Sequence, residues 1–301
     1  MGVNAVKFQK DGRLTVPLSA LSEDALEQLA KQPEKLPEET LRQLSTHPRI
    51  RFQIARNPKT PASMLALMVK EFCDDIENVG KELAKNPVDF VRDSLAERRR
   101  EDFELLKKIA KNPASSREII RELMSFPELH LSIANNHDAP KEFLNEIYES
   151  CGKWWKKPYS FNDLITRLAA NPHSSDQLLE DILGKVDFDE SHLEAFPEDQ
   201  ALKKRVENRI ARNLGTPTRL LCKITNYCGD DHTMSLAILN PNRSAEMLQR
   251  IYNKENPDTP VLALIAMCPE TPTEILTELS EHENPTIRRV ASETLKNKQS
   301  Q

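Results

Sequence analysis

The densest group of side chains able to do chemistry is Cys151-Gly152-Lys153-Trp154-Trp155-Lys156-Lys157-Pro158-Tyr159. It holds both tryptophans of the 301-residue chain between three lysines. Aromatic faces interleaved with ammonium groups stack bases while pairing phosphates, or anchor a protein partner. The alternative is a loop whose indoles cover an edge of the core. Lys153, Trp154, Trp155, Lys156, Lys157 and Tyr159 are therefore the candidate binding residues, with either role open.

Catalysis and metal binding find less support. The five cysteines are sparse and odd in number, which argues against a disulfide framework and fits a reducing cytoplasm. Cys222 and Cys228, with His232, fall short of the four closely paired ligands of a structural zinc site. The seven histidines are scattered, without an HExxH motif or a Ser/His/Asp order. With seven glycines in all, a phosphate-cradling loop has little to be built from. The acidic stretch Asp187, Asp189, Glu190, Glu194, Glu198 and Asp199 lacks the spacing and glycine of a calcium loop. It reads as a solvated loop or as a dock for a basic partner. Basic clusters stand at Arg98 to Arg100, at Lys107, Lys108 and Lys111, and at Lys203, Lys204, Arg205, Arg209 and Arg212. Nearby acids dilute each cluster, and the net charge is −5. The reading is a non-enzyme with no catalytic residue, no metal and no cofactor.

The elements that carry these residues are legible in the punctuation. Seven of the 20 prolines follow asparagine: Pro58, Pro87, Pro113, Pro172, Pro241, Pro257 and Pro285. That excess signals an internal repeat. A small residue, here called the anchor, stands two before the Asn or its equivalent. The anchors are Ala30, Ala55, Ala84, Ala110, Ala134, Ala169, Ala211, Ile238, Ala266 and Ala291. Their spacing defines a unit of about 24–28 residues, with insertions at about 150–162 and 184–205.

Each unit reads as two helical pieces. The residue before the anchor is apolar at Leu29, Ile54, Leu83, Ile109, Ile133, Leu168, Ile210, Ile265 and Val290. Ile50, Val79, Leu105, Leu129, Leu164, Val206 and Val261 stand one helical turn earlier, so both sets share a face. The first piece stops at Asn-Pro, because a residue before proline avoids the α region. Thr60, Ser115, Ser174, Thr216 and Thr271 then read as N-caps, with Pro61, Pro140, Pro217 and Pro272 at the first helical position. The second piece carries an i, i+1, i+4 apolar stripe: Met64/Leu65/Met68, Ile119/Ile120/Leu123, Phe143/Leu144/Ile147, Leu178/Leu179/Ile182, Leu220/Leu221/Ile224, Met247/Leu248/Ile251 and Ile275/Leu276/Leu279. Units this small bury such stripes only by stacking. Cys73, Cys151 and Cys228 recur at one place late in the second piece and read as structural. Strand signals are confined to Val3–Val16. The expected class is an all-α solenoid of about ten helical repeats over 21–301, preceded by an arm or short hairpin over 1–20.

Residues 50–68 run Ile-Arg-Phe-Gln-Ile-Ala-Arg-Asn-Pro-Lys-Thr-Pro-Ala-Ser-Met-Leu-Ala-Leu-Met. This resembles the leucine-rich repeat variant family, whose units read V-R-x-x-V-A-x-N-P-x-T-P-x-x-L-L-x-x-L. Similar stretches lie at 206–224 and 261–279 and, more loosely, at 105–123 and 164–182. The resemblance implies a bacterial, right-handed superhelix in which α-helices alternate with short 3₁₀ helices. The family's founding member also carries an N-terminal cysteine cluster for an iron–sulfur centre. This chain has no cysteine before Cys73 and no close run of four, so the expectation extends to the fold and not to the cluster.

No apolar run approaches the roughly 18 residues of a membrane helix, and residues 1–7 lack the apolar core of a secretory signal. A cytoplasmic protein-interaction scaffold with an extended solenoid surface is the expected function. The alternative is a nucleic-acid-binding helical-repeat protein with a DNA-glycosylase-like groove, should basic residues converge there.

Overall fold

A computed structural model describes residues 20–47, 50–85, 101–151, 158–187, 196–227, 230–254 and 259–300. The side chains of 75–85, 151, 158–160 and 227 lie outside that description. So does the arm or short hairpin expected over 1–20, residue 20 excepted. The described residues form helices and turns with no strand. The chain divides into two compact units, Met1–Ile147 and Tyr148–Gln301, beside the first insertion.

In the first unit the helices are α1 Glu23–Ala30, α2 Glu38–Ser45, α3 Ile50–Arg56, α4 Ala62–Lys85, α5 (101–111), α6 Arg117–Leu123, α7 His130–Ala134 and the start of α8 Lys141–Cys151. Short 3₁₀ turns stand at Pro33–Lys35 and Pro127–Leu129. The second unit holds α9 Pro158–Ala170, α10 Asp176–Lys185, α11 Pro197–Arg212, α12 Thr218–Tyr227, α13 Asp231–Leu239, α14 Ala245–Tyr252, α15 Thr259–Met267, α16 Thr273–Ser280 and α17 Pro285–Gln299. Here the first-piece helices α9, α11, α13, α15 and α17 pack in succession, and α12 packs on α14.

The repeat pattern accounts for the core. The described anchors are all buried, as is every residue of the seven i, i+1, i+4 stripes. A fully buried Leu or Ile contributes about 1.5–3 kcal/mol, so these stripes are the main glue between stacked turns. Phe72, Phe103 and Phe126 add an edge-to-face trio in the first unit, with ring centroids 5.6–6.1 Å apart.

Three local expectations are corrected. First, Thr60, Ser115, Ser174, Thr216 and Thr271 do not cap the following helix. Each buried hydroxyl donates at 2.6 Å to the carbonyl just before the anchor: Ile54, Ile109, Leu168, Ile210 and Ile265. It thus satisfies an orphan acceptor at the end of the preceding helix. Second, proline takes the N-cap itself rather than the first helical position. Pro272 has φ −52° and ψ 144°, and its carbonyl accepts from Leu276 at 3.1 Å. Pro61, Pro140 and Pro217 accept from Leu65, Leu144 and Leu221 in the same way. Ring-restricted φ suits that extended cap residue. Where a serine stands there instead, as Ser116, Ser175 and Ser244, its hydroxyl accepts from the backbone N–H three residues on.

Third, the second piece of one unit and the first piece of the next are not separate helices between Ala62 and Lys85. They form the single 24-residue helix α4, and the expected stop at Asn86-Pro87 lies outside the described residues. The Asn112 turn bonds directly to the Ala55–Asn57 turn.

Candidate functional site

Lys153, Trp154, Trp155, Lys156 and Lys157 lie outside the described residues. Tyr159 falls in α9, with its side chain undescribed. Arg98 to Arg100 and most of the acidic insertion (188–195) also lie outside. Among the described residues no cluster of His, Cys, Asp and Glu could hold a metal ion. Cys73 and Cys222 are half-buried and Cys268 is buried. Burial pushes the Cys73 thiol up, aided by Glu122 and Asp74, and burial does the same at Cys268. Such thiols are poor nucleophiles.

The geometry instead draws attention to the edge where each first-piece helix ends. A recurring asparagine organises it, half-buried at Asn57 and buried at Asn112, Asn136, Asn213 and Asn240. Asn57 Nδ2 donates to the carbonyls of Ala30 at 3.1 Å and Lys31 at 3.3 Å. Asn112 donates to Ala55 at 2.7 Å and Asn57 at 2.9 Å, and Asn136 donates to Asn112 at 2.9 Å. In the second unit Asn213 donates to Ala169 at 3.0 Å and Asn171 at 2.8 Å. Asn240 donates to Ala211 and Asn213, both at 2.9 Å. Each Oδ1 accepts from the N–H two residues on, as at Lys59, Ala114, Asp138, Gly215 and Asn242. The side chain thus closes its own turn and ties it to the preceding one. This ladder is the structural use of the Asn-Pro signal, which spacing alone registers only as a helix stop.

The ladder holds successive anchors in register, and with them the residue after each anchor. In the first unit that residue is the exposed cation Lys31, Arg56 or Lys111, and at the fourth described turn the half-buried Asn135. None of the three has an ion pair among the described residues. In the second unit it is Ala170, Arg212, Leu239, Met267 and Ser292 in turn. Leu239 is 62% exposed and Met267 60%, and Leu214 of the adjoining turn is 67% exposed.

More apolar side chains border them. Leu236 on α13, with Leu262, Ala263 and Leu264 on α15, is only partly buried against the core. From Val261 to Met267 helix α15 has no polar residue at all, yet only Val261, Ile265 and Ala266 are buried. An outward helix face is ordinarily polar. On α11, exposed Arg205, Arg209 and Arg212 share a face at i, i+4 and i+7. Their guanidinium groups make no ion pair among the described residues, whereas neighbouring Lys203 and Lys204 bind Asp187 at 3.6 Å and Asp230 at 2.7 Å. On the far side, α17 carries Arg289, paired with Glu293 at 2.8 Å, and Arg288, which donates to the His282 carbonyl at 2.8 Å.

The ladder changes character under this strip. Cys268 stands where the asparagine would, and its Sγ donates to the Leu264 carbonyl at 3.2 Å. Arg243 takes over the tie between turns. It grips Glu270 through two nitrogens at 2.9 and 3.1 Å and reaches the Asn240 carbonyl at 3.4 Å. The sequence holds the signal for this edge, because the residue after the anchor is cationic at Lys31, Arg56 and Lys111 and a large apolar one at Leu239 and Met267. Reading the anchors only for burial passes over it.

Searches of protein-family models, of curated proteins and of solved structures found no match to this chain.

Proposed function

We propose that this chain is a non-enzymatic protein-interaction scaffold, a right-handed solenoid of leucine-rich-repeat-variant type, working in the bacterial cytoplasm. The observation that carries the reading is the recurrence of large, exposed apolar side chains at one repeat position, Leu239 and Met267, on stacked helix ends. Exposed apolar groups set in register on a stiff frame are what a protein interface needs at its centre. The Trp154–Trp155 insertion belongs to the same reading as a second contact.

Capture from the source cell tests it, with wild-type chain and the Leu239→Asp/Met267→Asp double variant compared under nuclease. The expected outcome is a stoichiometric protein partner that survives nuclease and is lost with the variant. A second reading has its own support. Lys31, Arg56 and Lys111 form an unpaired cationic row on the first unit, spaced by ladder-linked turns, which suits a phosphate backbone. Recovery of nucleic acid alone, abolished by changing these three residues to Glu, would favour that reading over the scaffold.

A further inference from the structure

We infer that the strip on α13 and α15 is a docking face for an acidic amphipathic helix of a partner protein. The inference rests on the scaffold reading and adds the partner's chemistry. Three observations converge.

The first is an unfinished burial. Helix α15 is apolar on every side, and a helix of that kind is stable in water when covered. Leu262, Ala263, Leu264 and Met267, with Leu236, Leu239 and Leu214, offer apolar area that the chain itself leaves partly open. The floor beneath is firm. Asn240 ties α13 to the α11 turn, and the Arg243–Glu270 fork ties the α15 turn to the one before it.

The second is charge. Along the α11 border run the guanidinium groups of Arg205, Arg209 and Arg212, free of ion pairs among the described residues. The outward positions of α13 and α15 between Ser235 and Met267 carry no carboxylate to satisfy them. A partner lying on the strip therefore meets unneutralised positive charge along one flank, which favours carboxylates there and disfavours lysine.

The third is spacing. The three arginines span about 10 Å along α11, at 1.5 Å per residue. Acidic residues at i, i+4 and i+7 of a helix laid alongside repeat at the same interval. A helix also meets its own backbone hydrogen bonds, which matters on a floor made of Leu and Met that offers no donors or acceptors. Strand addition has no template, since the described residues contain no sheet edge. The partner helix thus places leucine-like residues at i, i+3, i+4 and i+7 on the strip and a row of Asp or Glu toward α11.

Selection from a displayed library of 20-residue amphipathic helices, with every flank charge represented, tests this on the full chain. Wild type is expected to enrich sequences with acids at the i, i+4, i+7 flank. Individual clones should lose at least tenfold in affinity when those acids become Lys, and as much against Leu239→Asp/Met267→Asp. The Arg205→Glu/Arg209→Glu/Arg212→Glu variant should switch enrichment to basic flanks. Circular dichroism melts of each variant check that the array stays folded. Enrichment indifferent to flank charge, or unchanged by the arginine reversal, overturns the acidic-helix inference while leaving the scaffold reading standing. Absence of any enrichment that depends on Leu239 and Met267 overturns both. Sedimentation showing a dimer that Leu239→Asp dissociates would make a second copy the occupant, and so overturn the inference as well.

Discussion

The two units use one turn to opposite ends. In the first, the exposed residue that follows the anchor is Lys31, Arg56 or Lys111, and the ladder runs from Asn57 through Asn112 to Asn136. In the second, the ladder runs through Asn213 and Asn240 and then yields to Cys268, just where the outward residues become Leu239 and Met267. The inward chemistry is conservative because a buried carbonyl must find a donor. The outward residue carries no such obligation. The frame can therefore hold its register while the surface changes from cationic to apolar.

Breaking the ladder gives the largest expected effect. Asn112→Ala removes bonds to Ala55 and Asn57 and leaves buried carbonyls unsatisfied, a loss of about 2–4 kcal/mol in urea unfolding. Asn213→Ala should cost as much in the other unit. Cys268→Ala is expected to cost no more than about 1–2 kcal/mol, since a weak thiol bond and a small volume are lost. Equal losses at Asn112 and Cys268 would show that the ladder is not what holds the turns.

Next comes Gly215. A Cβ there would overlap the backbone carbonyl oxygen of Pro172 in the preceding turn. Gly215→Ala should therefore force two turns apart and cost about 1–3 kcal/mol. Lys59→Gly, at the same repeat position in the first unit, should change stability by less than about 1 kcal/mol. A similar cost at both sites would mean that close approach is not special to the second unit.

A smaller effect follows from Glu207, buried on α11. Desolvation raises its carboxyl above the usual range, Asp187 and Asp230 add to this, and Lys203 opposes it. A raised folded value means that the protonated form is favoured by folding. That contribution is fully present below the ordinary Glu value and is lost as pH rises through the raised one. Glu207→Gln should thus be more stable than wild type near pH 7 and match it near pH 4. Thermal melts at both values read the difference, and a variant less stable at neutral pH would contradict the assignment.

The smallest effect on stability belongs to the strip itself. Leu239→Ser with Met267→Ser should leave the melting temperature within about two degrees, because both side chains are mostly exposed. The same pair should lower the binding of a hydrophobic dye. The first unit, bordered by lysine and arginine, should bind little dye to begin with. A large loss of stability would place these residues in the core and remove the contrast between the units.

Much of the core is legible in the sequence. The apolar stripe from Met64/Leu65/Met68 to Ile275/Leu276/Leu279 is local and periodic, so spacing alone identifies it as buried. The hydroxyls of Thr60 and its equivalents are misread as caps of the next helix because both roles suit a small polar residue in a turn. Only the position of the preceding carbonyl decides between them. The continuity of α4 from Ala62 to Lys85 is missed for a similar reason. Spacing marks where apolar residues recur, but it does not say whether one helix or two carries them. The aromatic-basic insertion at Lys153–Tyr159 stood out by composition, and composition does not report what faces what.

The sequence by itself determined the helical class, the repeat positions and the buried stripes, since burial with a period of 3.6 is written into neighbouring residues. Tertiary structure alone decided which asparagine bonds to which carbonyl, that α4 joins two expected helical pieces, and that Leu239 and Met267 stay open to water. An apolar residue looks the same in a sequence whether its neighbours cover it or not, and only the stacking of one turn on the next settles which has happened.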